Sequence, residues 1–193
     1  LAITAAISQN LYAAEDDSKD PGLTEATSAS SQASANGFFE DADLLLENRN
    51  VAFYQNALNT EPGTQNYQSE WGQAAMLTFT SGYTQGLVGF GVDAFANGAV
   101  RLNSGAGTGG SPVLPANGSR CDAVTGSCIG QESYGLAGGA VKARISETEI
   151  KAGDLRPNSP VFGTWDGYLM PQHANGGMFS CNESENLALQ GGH

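Results

Sequence analysis

The sequence predicts an all-β fold, an antiparallel transmembrane β-barrel, and three observations predict it. Apolar residues recur at alternate positions through most of Gly86 to Asn103. A second alternating run is bounded by aromatic residues at Trp71 and Tyr83. The connections between such runs are short and long by turns.

Composition narrows the field first. With 26 Gly among 193 residues and 8 Lys+Arg against 20 Asp+Glu, the chain is unlike an ordinary soluble domain. No stretch approaches the roughly 18 consecutive apolar residues of a membrane helix. A barrel is still allowed, because its spanning strands are half polar. The formal charge of −12 argues against a nucleic-acid partner, which requires clustered Lys and Arg. The acidity is uneven, since residues 1–70 carry 11 acidic side chains against Lys19 and Arg49.

From the start of the chain, residues 1–14 are mostly apolar or small and an acidic run from Glu15 to Asp20 follows. This reads as the remnant of a secretory signal peptide, with cleavage expected near Ala13 or Ala14. A short amphipathic helix is the alternative. Residues 15–36, rich in Ser, Ala and acidic side chains, read as a flexible leader. A first strand falls within Phe38–Tyr54, where Leu44-Leu45-Leu46 obscures which face is which.

In the next run, Trp71, Ala75, Leu77, Phe79 and Tyr83 share a face opposite Gly72, Ala74, Thr78, Thr80 and Gly82. Its end aromatics suit the belts at membrane–water interfaces. Gln73 and Met76 interrupt the pattern. From Gly86 to Asn103, Val88, Phe90, Val92, Ala94, Ala96, Val100 and Leu102 oppose Gly89, Gly91, Asp93, Asn97 and Arg101. Soluble strands run to about 5–6 residues, whereas a tilted membrane strand needs about 9–11. Length therefore favours the membrane. A third run sets Ala137, Gly139, Val141, Ala143 and Ile145 against Gly138, Ala140, Lys142, Arg144 and Ser146. After a polar turn near Glu147, Ile150 and Ala152 oppose Lys151. Gly177–Asn182 and Leu187–Gln190 are weaker strand candidates.

Ser81–Gly86 and Ser146–Glu149 are tight, while Asn56–Ser69, Asn103–Ser133 and Leu155–Gly176 are long and rich in Gly, Pro and Asn. Short turns at one end and long loops at the other are the habit of outer-membrane barrels. Within the second long loop, Cys121 and Cys128 stand close in sequence, and an exported loop favours a local disulfide there. Zinc is disfavoured, because the chain has two His and no second Cys pair. Cys181 is left over.

Gly37-Phe38-Phe39-Glu40-Asp41, Glu70-Trp71-Gly72-Gln73, the run from Ser81 to Ala94, Gly139 to Thr148, Leu169-Met170-Pro171-Gln172 and Leu187 to His193 form a set. Together they resemble the OprD family of substrate-specific porins. The resemblance covers nearly everything after residue 36. It implies an eighteen-stranded barrel in a Gram-negative outer membrane, of which residues 37–193 supply an incomplete, open part of about seven strands. It also implies passive uptake of small solutes such as amino acids or other carboxylates, without a cofactor. The third long loop, about Leu155 to Gly176, would fold inward and narrow the pore, with Trp165, Tyr168 and Gln172 as its candidates. Arg101, Lys142, Arg144 and Lys151 match lumen positions that would guide a carboxylate, and Asp93 on the same face is placed to pair with one of them. Tyr168 departs from the family, where a basic residue often precedes the Leu-Met-Pro-Gln segment. Membrane lipid and small solutes are the partners implied, with homo-oligomerisation of the whole protein left open.

Other chemistry has little support. Gly105–Gly110 has the composition of a phosphate-binding loop but lacks the Lys-Ser/Thr ending and the strand-to-helix setting. His173 and His193 have no nucleophile motif between them, so an enzyme is not expected. A secreted, soluble β-rich binding module and a structural barrel without transport remain open.

Overall fold

In the computed structural model the described residues are 2–12, 32–56, 66–103, 109, 111, 113–121, 128–158, 163–166, 169–184 and 187–193. Among the described residues there are ten strands: β1 (Ala2–Tyr12), β2 (Asp43–Asn56), β3 (Tyr67–Thr80), β4 (Val88–Arg101), β5 (Ala116–Cys121), β6 (Cys128–Gly130), β7 (Ser133–Ile145), β8 (Thr148–Leu155), β9 (Ala174–Ser184) and β10 (Leu187–Gly192). Eight make one antiparallel sheet in the order β1-β2-β3-β4-β7-β8-β9-β10, and β5 pairs with β6 as a separate hairpin. The sheet is an open half-barrel, and β1 and β10 are its edges. No helix among the described residues is long and apolar enough to cross a membrane.

The period-2 alternation gives the sheet two unlike faces. One carries Leu44, Leu46, Trp71, Leu77, Phe90, Val92, Val100, Val141, Ile145 and Ile150, all exposed. The other carries Arg49, Val51, Ala74, Met76, Asn97, Ala99, Lys142 and Arg144, all buried. At 14 residues each, β2, β3 and β4 exceed the length a tilted membrane strand requires. Short turns join β3 to β4 and β7 to β8 at one end, while the connections following β2, β4 and β8 are long.

The structure corrects one facing and adds detail at three other places. Tyr83 is not an outer-belt residue. It is buried on the inner side, because β3 ends at Thr80 and the turn that follows breaks the strand parity. Gln73 does sit on the outer face, where it is satisfied laterally. Asn50 Nδ2 donates to Gln73 Oε1 at 2.6 Å, Gln73 donates to Asn48, and Trp71 Nε1 donates to Asn50 Oδ1 at 2.9 Å. Residues 2–12, read as part of a signal remnant, lie along β2 as a strand. Ile3, Thr4 and Ile7 favour strand geometry, and the edge of β2 offers unpaired backbone groups. Finally, the last residues of the segment read as a leader touch the sheet. Gln32–Ser34 forms a 3-10 turn, and Gln32 N donates to Ser146 O at 3.1 Å.

Candidate functional site

The inner face is built from small residues that give long charged side chains room to lie flat. A Cβ on Gly91 would stand 2.6 Å from Lys142 Cε and 2.7 Å from Ser81 Oγ, and one on Gly89 would strike the Gln32 amide. Glycine at alternate positions of β4 thus opens a trough along the wall. Lys142 lies in it, its side chain 3% exposed, with Nζ 2.6 Å from Asp93 Oδ1. Lys151 on β8 reaches the other Asp93 oxygen at 3.4 Å and Glu149 Oε1 at 3.2 Å.

Tyr83 closes this network at the short-turn end. Its hydroxyl donates to Glu149, and its ring lies under Lys142 Nζ at 5.0 Å and Arg144 Cζ at 4.0 Å. Burial, and then the Glu149 hydrogen bond, push the Tyr83 hydroxyl well above the usual tyrosine range. Arg144 Nε donates to Gln32 Oε1 at 3.1 Å, and Gln32 Nε2 donates to the Thr84 carbonyl at 2.8 Å. The segment before β2 therefore tucks its Gln32 amide into the wall beside a candidate guide.

A second cluster lies toward the long-loop end, where two loops fold onto the inner face. Leu169 and Met170 from the third long loop, with Val113 and Leu114 from the second, pack against Val51, Ala74 and Ala99. Leu169 is fully buried, and Gly72 makes room for it, since an added Cβ would stand 2.6 Å from Leu169 Cδ2. Charge holds the same loop. Arg49 Nη1 donates to Asp166 Oδ1 at 2.8 Å, and Arg156 Nη2 donates to Asp166 Oδ2 at 3.2 Å. At the loop's far end the His173 ring stacks on Phe95 of β4 at 3.7 Å and 11°. Gly153, at φ +135°, adopts a conformation that glycine tolerates. Beyond it Asp154 turns inward beside Gly138 and Phe95.

The structure thus brings Asp93, Lys142, Arg144 and Lys151 into one neighbourhood. Arg101 stands apart near the long-loop end, with Nη1 donating to the Gly130 carbonyl at 2.7 Å and Nη2 3.9 Å from Glu132. Trp165 is exposed, and its carbonyl accepts from Gln172 N at 3.2 Å. Tyr168 lies outside the described residues. Cys121 and Cys128 are backbone partners across β5 and β6, and their side chains are outside the described set. Cys181 is a free thiol. The sequence reading missed Arg49, Arg156 and Asp166, whose meeting spans 117 residues. It also missed Phe95, an inward aromatic that the alternation could have revealed. Every Lys and Arg whose side chain is described lies on the inner side or on a loop folded against it.

An apolar outer face, a charged inner face and loops folded inward define a channel-type outer-membrane β-barrel. Comparison narrows the class. The sequence profile of "outer membrane porin, OprD family" matches residues 36–193. Porin D of Pseudomonas aeruginosa is 40% identical over 167 residues, covering 85% of this chain and 34% of its own length. A BenF-like porin from Pseudomonas fluorescens Pf-5 superposes with a TM-score of 0.70 at 38% identity, covering 81% of this chain and 37% of that one. Pseudomonas aeruginosa OpdK with vanillate superposes with a TM-score of 0.63 at 34% identity, covering 81% and 36%. The chain spans 34% and 40% of the two curated relatives it matches. It belongs to the OprD family of porins, proteins of the bacterial outer membrane.

Proposed function

We propose that the whole protein is a passive channel for small carboxylate-bearing solutes such as amino acids, and that this chain supplies part of its wall and its inward loops. One observation carries the reading: the described cations, with their acidic partners, lie on the inner side or on a loop folded against it, while the outer face is mostly apolar. Low-dielectric walls focus such a field and raise the local concentration of anions. That a relative was crystallised with vanillate, itself a carboxylate, points the same way. Membership of an outer-membrane porin family sets the secreted-module reading aside. In the site, Lys142 and Arg144 lie buried along one strip of the wall, with Asp93 and Gln32 fixing their positions, and act on a solute through their field rather than by contact.

Uptake by proteoliposomes carrying the full-length porin tests this. Lys142→Gln with Arg144→Gln should slow a carboxylate solute more at low salt than at high salt, because screening removes the field in both proteins. A matched uncharged amide should be little affected. Equal carboxylate uptake by variant and parent at low salt would reduce both residues to structural wall groups. A parent with no conductance in planar bilayers would leave a barrel without transport.

A further inference from the structure

The inward loop is held to the wall by a carboxylate of its own. Asp166 Oδ1 accepts from Arg49 Nη1 at 2.8 Å, and Asp166 Oδ2 accepts from Arg49 Nη2 at 3.4 Å and from Arg156 Nη2 at 3.2 Å. The donors come from separate elements, Arg49 on β2 and Arg156 just after β8. The Arg49 side chain is 11% exposed, and Glu47 Oε1 orients it at 2.6 Å. Asp166 is 44% exposed and so within reach of a solute. Planar guanidinium groups are suited to a planar carboxylate, which they bind with two parallel bonds.

We propose that Arg49 and Arg156 form a carboxylate-binding site on the solute path, and that Asp166 is its built-in competitor. A passing solute takes the site by exchanging with Asp166. This rests on the reading of the protein as a carboxylate channel. Exchange suits a channel, whose binding must favour entry yet allow release. A solute carboxylate gains two guanidinium partners but must displace a tethered one, so the attraction is largely cancelled. Glu47 stays on Arg49 throughout and keeps the emptied site from holding its next occupant too firmly. Apparent affinity is reduced by the fraction of time the site stands open.

The test uses the full-length porin in planar bilayers, with benzoate as probe and benzamide as its uncharged match. The quantity read is the concentration that half-reduces potassium chloride current. Asp166→Asn keeps the shape of the side chain and removes its charge. It should lower the benzoate value by about tenfold if the site is open roughly a tenth of the time, and leave benzamide unchanged. Asp166→Ser should move benzoate the same way, and Arg156→Gln should move it the opposite way. If the parent distinguishes benzoate from benzamide but Asp166→Asn leaves benzoate unchanged or weaker, the competitor is overturned and the uptake reading stands. Opposite shifts for the two Asp166 variants, or no weakening in Arg156→Gln, would also overturn it. A conducting parent that does not distinguish the probes overturns the uptake reading and this site together.

Discussion

Lys142 shows how a charge survives in a wall of this kind. Its ammonium is almost wholly covered, and Asp93 at 2.6 Å is its direct ion-pair partner. A buried pair adds little over well-packed apolar residues, whereas removing one partner strands the other and costs about 3–5 kcal/mol. Asp93→Ala should therefore lower the unfolding free energy of the full-length barrel by about that amount, while Asp93→Leu with Lys142→Met should cost much less. Urea unfolding of the two variants in lipid vesicles measures this, and equal losses would show that the pair is not coupled. His173 makes a different case, at the end of the inward loop. Burial holds its imidazole below the usual histidine range, Arg156 adds to the effect, and the Pro171 backbone, Asp154 and Asp166 oppose it. The docked ring binds a proton less readily than a free one. Docking is then at full strength above about 6.5, the free value, and weakens as pH falls through the lowered docked value. Protease cleavage of this loop in the full-length porin should accelerate as pH is lowered from about 6.5 to 5. A His173→Gln variant should show no such acceleration, and a parent with flat cleavage would refute the dependence.

Among the elements, β4 was legible in the sequence almost in full, because long alternation, broken mainly at Phe95, fixes both conformation and facing. The facing of β2 was not, since Leu44-Leu45-Leu46 offers apolar groups to both sides and the outer face itself carries Asn48 and Asn50. Tyr83 was misassigned for a related reason, as parity has no meaning beyond the last residue of a strand. The Lys142–Asp93 contact followed from shared facing, while the Arg49–Asp166 contact depends on where a loop lands, which no local pattern encodes. The β5–β6 hairpin lies between these cases. Sequence proximity suggested that Cys121 and Cys128 join, and the register sets them directly opposite one another. Antiparallel partners have Cα separations of about 4.5–5.5 Å, within the range a disulfide spans. Oxidation by a disulfide-bearing exchange partner would join the two sulfurs and leave that partner with the electrons and protons as two thiols. Mass spectrometry of the exported porin should find the peptides of Cys121 and Cys128 linked and Cys181 open to alkylation. Alkylation of all three without reductant would show the hairpin reduced.

At the scale of the molecule, the question is whether the sheet can seal itself. Seven strands between residues 43 and 192 would have to close with a parallel seam, but β1 adds an eighth, so strand direction alone does not forbid closure. The contents of the inner face do. In an eight-stranded barrel the wall side chains alone fill the interior. Here the inner face also carries Leu169 and Met170 from one loop, Val113 and Leu114 from another, and the Arg49–Asp166–Arg156 bridge. Closing on eight strands would expel these groups, taking Asp166 from Arg49 and the loop side chains from Val51, so the inner face suits a wider barrel. Left open, the edges of β1 and β10 present unpaired backbone groups, and in hydrocarbon each costs several kcal/mol. In water the exposed Trp71, Phe90, Val141 and Ile150 add an apolar face to those edges, a combination that drives aggregation. The purified 193-residue chain should therefore give no discrete single-channel openings in a planar bilayer and should associate in solution unless detergent is present. The full-length porin, treated identically, should conduct. Stable unitary openings from the shorter chain would mean that its edges do meet and its loops leave the interior.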